Sequence, residues 1–314
     1  MSTAHSENTA LITHGDCLNH IMPHGHPEQV ARLNAVSDAL EGKPLLRIDA
    51  PLATDAQVAR AHPQTHLDRL RADAPQKGMA PLDPDTWMSP GSLNAALRGA
   101  GGAVQGVDMV MAGEVRNVFV ATRPPGHHAE SELAMGFCLL GTVAIAAKHA
   151  LEHHGLARVA IVDFDVHHGN GTQDLVQDDA RILFCSTHQM PLFPGTGDPS
   201  ETGIANNVVN VALSDGTGST AFRQAMETHI LPAVDAFQPE LILISAGFDA
   251  HRDDPLAGLN LTEADFAWAT TKICALAAAH ASGRVVSCLE GGYELPALGC
   301  SAAAHVDALI AAGG

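Results

Sequence analysis

The sequence predicts an α/β protein of three layers, α/β/α, with a central, mainly parallel sheet. Three observations carry that prediction. Short β-rich runs alternate with longer alanine-rich segments. Nearly all the runs are continuous apolar strings, as in strands buried on both faces. The polar, chemistry-bearing residues cluster just after the runs. In chain order the strand candidates are Val118–Thr122, Val159–Phe164, Ile182–Ser186, Val208–Leu213, Leu241–Ser245 and Val285–Leu289. Helix candidates lie at Ser92–Ala112, Gly141–His154, Ser219–Phe237 and Thr262–Ala281. Strand and helix in that rhythm build parallel βαβ units. The first ~90 residues are expected to be loop-rich, with helices only near Pro27–Glu41 and His66–Ala72. No break in composition supports a boundary, so residues 1–314 are read as a single domain.

Composition narrows the function. A chain of 314 residues buries roughly three-quarters of its unfolded surface, so a large core is available. Hydrophobic residues at 46% and charged residues at 17% exclude a disordered or coiled-coil protein. Seventeen Lys and Arg against 35 Asp and Glu leave a net charge of −18, which argues against nucleic-acid or anionic membrane partners. A cationic substrate entering one acidic mouth remains compatible with it. The six cysteines form no Cys-x-x-Cys pair and read mostly as buried free thiols. Met1–Glu7 lacks the basic start and apolar run of a signal peptide, and no apolar stretch approaches the ~20 residues of a bilayer span. The expectation is a soluble, cytoplasmic protein.

In an open α/β sheet, ligands bind outside the carboxyl ends of the strands. Four strand ends here run into chemistry: Arg123–Ala129, Asp165–Gly171, Ala246–His251 and Glu290–Tyr293. Asp163, Asp165 and His167 are spaced by two, so an extended backbone would point all three to one side. Asp165 and His167 can reach one metal ion, and Asp249 supplies a third ligand from another strand end. Three protein ligands with an open position match catalytic rather than structural zinc. Oxygen-rich ligation with one nitrogen also suits Fe(II). The plain alternative is an Asp/His hydrogen-bond network capping strand ends. His127 and His128 follow the stiff Pro124-Pro125-Gly126 turn and suit proton transfer, with Asp163 the acceptor that orients His127. Tyr293, the only tyrosine, follows Gly291-Gly292 and can donate a hydrogen bond to a developing oxyanion.

These motifs together resemble the histone deacetylase superfamily, from about Asp16 to the C-terminus, and most of all its class II-type bacterial histone deacetylase-like amidohydrolases and acetylpolyamine amidohydrolases. The strings that carry the resemblance are Gly25–Glu28, Arg123–Ala129, Gly136–Cys138, Asp163–Gln173, Pro194–Gly197, Ser245–Ala250 and Glu290–Tyr293. It implies the arginase-deacetylase fold, with Asp165, His167 and Asp249 as zinc ligands, His127 and His128 as general acid/base pair, and Tyr293 on the oxyanion. It also implies a substrate channel walled by Phe137 and Phe193, with acidic Asp85 at the rim and Arg32 beneath the pocket. A structural potassium ion would take backbone carbonyls of Asp163, Asp165 and His167, with Ser186 nearby.

Two departures from the family pattern matter. Asn170 stands where many members carry an aspartate beside the second histidine, so His128 is expected to be less basic. Leu256 occupies the gatekeeper position where a polyamine-selective member has glutamate. Members with weakened activity have histidine at the tyrosine position, whereas Tyr293 is retained. The related arginases hold two manganese ions with carboxylates where this chain has Gly169 and His251, so one tightly bound divalent ion per chain, not two, is expected.

The reading that follows is a zinc-dependent hydrolase, an amidohydrolase removing acyl groups from N-acetyl-lysine side chains or related acylated amines through a metal-activated water. Acetylpolyamines are the alternative substrate, and a non-catalytic reader of acylated ligands is the alternative class. Assembly into a homo-oligomer is compatible with the sequence.

Overall fold

A computed structural model describes residues 8–314; Met1–Glu7, on which the N-terminal reading rests, lie outside the described residues. The strands, in chain order, are β1 (Thr9–Thr13), β2 (Leu46–Asp49), β3 (Ala80–Pro81), β4 (Trp87–Met88), β5 (Asn117–Val120), β6 (Val159–Asp163), β7 (Ile182–Gln189), β8 (Val208–Leu213), β9 (Leu241–Ala246) and β10 (Val285–Leu289). The helices are α1 (Ala31–Ala39), α2 (Asp55–Val58), α3 (Gln64–Asp73), α4 (Ser92–Ala112), α5 (Thr142–Glu152), α6 (Asn170–Val176), α7 (Ser219–Ala225), α8 (Leu231–Phe237), α9 (Glu263–His280) and α10 (Leu295–Gly313).

Eight strands form one sheet in the order β2-β1-β5-β10-β9-β6-β7-β8, and every pairing is parallel. Helices cover both faces, and the apolar runs explain why. Along β6, Val159 and Ile161 join one core while Ala160 and Val162 join the other. A strand that must feed two cores has no polar face, so it reads as a continuous apolar string. On the first face α4 lies very close to the sheet. A Cβ at Gly102 would come within 3.1–3.2 Å of Ile12 and Val120, and one at Gly106 within 3.1–3.2 Å of Val286 and Val118. The glycines let that helix sit down on the β-branched residues beneath it.

The first ninety residues are less loop-rich than expected. β1 is buried between β2 and β5, and β2 forms one edge of the sheet. β1 is only five residues long and β2, Leu46-Arg47-Ile48-Asp49, is largely exposed and half charged, so neither carries a buried-strand signature. α10 was not anticipated either. Its 19 residues are long and apolar enough to cross a membrane by length and composition alone. Here it is a core helix: Leu298, Ala302, Val306 and Leu309 are buried in the second core, and Gly299 comes close to the Ala35 carbonyl of α1. The long helix expected over Ser219–Phe237 is continuous but passes through one wider, π-type turn at Met226–Ile230.

Candidate active site

The four strand ends singled out in the sequence belong to β5, β10, β9 and β6, which are adjacent at the centre of the sheet. Register keeps their ends level: Val120 lies beside Cys288, Leu289 beside Ala246, and Asp163 beside both Ser245 and Ser186. Residues scattered over 170 positions therefore meet above one edge of four neighbouring strands, as the ends of parallel strands require.

Asp165, His167 and Asp249 converge, one ligand atom of each lying within 4.8 Å of the others. All three are buried. His167 Nδ1 is 3.2 Å from Asp165 Oδ1 and 3.0 Å from Asp249 Oδ2. The extended spacing expected for this segment is not what brings them together. β6 ends at Asp163, and the chain then bends across Asp165–His167. Asp163 Oδ1 accepts from the Asp165 amide at 3.1 Å and Asp165 Oδ1 from the His167 amide at 2.9 Å. Two successive carboxylate turns aim the ligands.

The donor set fits a divalent ion. Burial and the charge of Asp165 push the Asp249 carboxyl up, which is the signature of two carboxylates pressed together. A cation between them relieves that repulsion. Backbone room has been kept for the group: a Cβ at Gly247 would strike the Asp165 carboxylate, and one at Gly291 would strike both Asp249 and Asp165.

The two histidines beside this set have different partners. His127 Nδ1 is 3.0 Å from Asp163 Oδ2, as the sequence suggested. Burial opposes its charge, but the charges of Asp165 and Asp163 outweigh burial and hold its pKa well above the usual imidazole value. His128 Nδ1 is 2.7 Å from Asn170 Oδ1. Burial, then the charges of His127 and His167, hold its pKa well below that value. The rings lie 4.0 Å apart. Glu290 Oε2 pins their loop by accepting from the Gly126 and His127 amides at 2.6 and 3.1 Å.

Asp85, Phe137, Leu192, Phe193, Leu256 and Tyr293 wall a pocket of about 230 Å³ that His128 and His167 also line. Phe193 is 41% exposed at its mouth and packs edge-on to His128 at 5.1 Å. Phe137 meets Tyr293 edge-on at 5.9 Å. The Gly136-Phe137 pair adopts the left-handed conformation at both residues, φ 55° and 68°. Gly136 is required there because a Cβ would run into the His128 ring. Burial drives the Tyr293 phenol well above its usual pKa, so it stays a donor.

Arg32 lies beneath the pocket, as the resemblance implied, whereas the buried roles of Glu28 and Arg123 and the whole contribution of Asp254 were missed by sequence reasoning. Arg32 stacks under Tyr293, its guanidinium carbon 4.8 Å from the ring centre, and donates to the carbonyls of Gly292 and Glu290 at 2.6 and 2.5 Å. Glu28 accepts from Arg32 at 3.0 Å and from two nitrogens of Arg123 at 2.5 and 2.6 Å, all three residues being fully buried. Asp254 accepts from the Tyr293 amide at 2.7 Å and the Leu256 amide at 3.0 Å, tying the phenol to the pocket wall. Glu28 and Arg123 sit in short motifs, and Asp254 in none. The partners of Arg32 lie up to 260 positions away.

For the expected potassium ion, Ser186 is the register partner of Asp163, and the carbonyls of Asp165 and His167 take no hydrogen bond among the described residues. The arginase-type second metal has no support at this site: a Cβ at Gly169 would press on Asp163, and buried His251 faces Asp253 and Glu263 instead.

Fold and site define a class: a three-layer α/β protein with a buried Asp-His-Asp cluster that could hold a metal ion and paired histidines at the strand ends. Comparison with known proteins agrees. The histone deacetylase domain matches residues 26–309. The chain is 38% identical over 296 residues to a probable deacetylase of Archaeoglobus fulgidus, covering 91% of this chain and 82% of that protein. It is 40% identical over 274 residues to the histone deacetylase-like amidohydrolase of Pseudomonas aeruginosa, covering 85% and 72%. The crystal structure of the HDA15 HD domain superposes with a TM-score of 0.91 at 34% identity, covering 97% of this chain and 88% of that one. This protein belongs to the histone deacetylase family, a family of deacetylases and amidohydrolases, and its fold is the arginase-deacetylase fold.

Proposed function

We propose that the chain is a zinc-dependent amidohydrolase that removes an acyl group, acetyl above all, from N-acetyl-lysine side chains or related acylated amines. The observation that carries this reading is the pocket: aromatic walls from Phe137 and Phe193, Asp85 at its lining, and His128, His167 and Tyr293 beside one another. Aromatic walls hold an aliphatic chain, and the carboxylate suits a polar or cationic rim contact.

Asp165, His167 and Asp249 would hold the ion, which would polarise a carbonyl oxygen and lower the pKa of a neighbouring water. His128 takes a proton from that water through its ring nitrogen away from Asn170. Tyr293 donates its hydroxyl to the carbonyl oxygen as charge builds there. Arg32 and Asp254 hold the phenol in place from below and behind. As the water oxygen bonds to the carbonyl carbon and the C–N bond breaks, His128 passes the proton it took to the leaving amine, a transfer that the charge held on neighbouring His127 by Asp163 favours. The tetrad of Asp163, Asp165, His167 and Ser186 would hold potassium, which fixes the backbone turn carrying the ligands.

A fluorogenic acetyl-lysine assay with and without chelator tests the reading. Turnover that chelator abolishes and Zn²⁺ or Fe²⁺ restores supports it, and the restoring ion identifies the metal. Binding of acyl-lysine without any turnover would favour the reader instead. A panel of acyl-lysine peptides against acetylated putrescine, cadaverine and spermidine separates the two substrate classes.

A further inference from the structure

A second group of ligating side chains lies on the α4–α5 pair, apart from the pocket. Asp108 of α4 meets His149 of α5 and His153 and His154 at its C-terminal end. One ligand atom of each lies within 4.8 Å of all the others. Nε2 of His149 and Nε2 of His154 stand 2.7 Å from the same oxygen, Asp108 Oδ1. His153 completes the group, its ring centre 4.8 Å from that of His149 and 4.8 Å from that of His154.

The geometry suits an ion better than the plain alternative. Histidines at a helix C-terminus complement the helix dipole. That accounts for histidine at these positions but not for two imidazole nitrogens meeting on one carboxylate oxygen with a third ring alongside. His149 and His153, four positions apart, share one side at the end of α5, and the bend after the helix carries the His154 ring back to His149 and Asp108. A tetrahedral zinc site with bonds of ~2.0–2.2 Å holds neighbouring ligand atoms roughly 3.3 Å apart. Small side-chain rotations bring the present group to that spacing. Burial is graded, with His149 buried, Asp108 and His154 half-buried and His153 exposed, which gives a fixed base and an open entry side.

We propose that Asp108, His149, His153 and His154 form a second metal site, separate from the pocket, for a borderline divalent transition ion of the Zn²⁺ class. Three imidazoles and one carboxylate select such ions over Mg²⁺ or Ca²⁺. Four protein ligands fill a tetrahedron, so the site clasps the end of α5 to α4 rather than performing chemistry. Arg60 donates to His149 Nδ1 at 2.9 Å and also reaches Glu152 at 3.3 Å. Because arginine keeps its proton, His149 in this arrangement carries its own on Nε2 and donates it to Asp108. When the ion takes Nε2, the ring's one proton moves to Nδ1, Arg60 no longer donates there, and it retains Glu152 as its partner.

The test counts metal in the whole protein. Wild type is stripped with chelator, re-equilibrated with excess Zn²⁺ at neutral pH, desalted and analysed for zinc. The expected count is two equivalents, falling to one in His153→Ala/His154→Ala, which keeps its deacetylase turnover. Asp165→Ala should also hold one, and Co²⁺ in that protein should give the visible absorption of a tetrahedral ion. Equal zinc in wild type and the double variant overturns the proposal. Should the double variant fold poorly, Asp108→Asn provides the same comparison. Loss of zinc from Asp165→Ala alone, with wild type and the double variant alike, speaks only to the pocket and likewise overturns the second site.

Discussion

The amide of Asn170 sets the tautomer of His128. Asn170 Nδ2 donates to Glu130 Oε1 at 2.7 Å, so Oδ1 is the atom that faces the ring, 2.7 Å from His128 Nδ1. An amide oxygen can only accept, so the His128 proton sits on Nδ1 and Nε2 is left as a free base. His127, a residue earlier, faces a carboxylate instead.

Asn170→Asp replaces the neutral acceptor with a charged one and raises the basicity of His128. A base works in its neutral form, so the ascending limb of the pH–rate profile is expected to move to higher pH. An unchanged limb in kcat/KM measurements would remove His128 from the role of base.

Tyr293→Phe removes one hydroxyl and keeps the ring on Arg32. Loss of one oxyanion donor costs about 10²–10³ in turnover, or ~3–4 kcal/mol. Metal content and KM should stay near wild type, because the hydroxyl acts mainly in the transition state. A variant with wild-type kcat would make Tyr293 a wall residue only.

His167→Ala leaves two crowded carboxylates without their nitrogen partner. Metal and activity are both expected to disappear, as measured by elemental analysis and the acetyl-lysine assay. Gly291→Ala, which adds no ligand and removes none, should lower metal affinity by crowding Asp249 and Asp165. Retention of metal and full activity in either variant contradicts the ligand assignment.

Glu28→Gln takes the charge from between two buried arginines. Breaking a buried pair from one side costs about 3–5 kcal/mol, read by denaturant unfolding. In the native protein burial works against the Glu28 charge, but Arg123 and His20 outweigh it and hold the carboxyl well below the usual range. That contribution is therefore present above about pH 4.3, the unfolded value, and is lost as pH falls toward the folded one. The variant should show a flatter loss of stability in acid than wild type.

Much of this protein was legible in one dimension. Strands such as Val159–Asp163 and Leu241–Ala246 announce themselves because burial on both faces forbids polar residues, and the candidate ligands announce themselves because they sit just past those strands. β1, β2 and α10 were not legible, since a five-residue strand, a charged edge strand and an apolar helix look alike whether buried or not. Chemistry-bearing residue types and their order are local properties of the chain, and the sequence by itself determined them. Which partner each one meets was decided by tertiary structure alone. The order β5-β10-β9-β6 brings Tyr293 beside His128 and Arg32 under Tyr293, and the packing of α4 on α5 brings Asp108 to His149. Strand order and helix packing depend on the summed burial of the whole core, and no motif carries that sum.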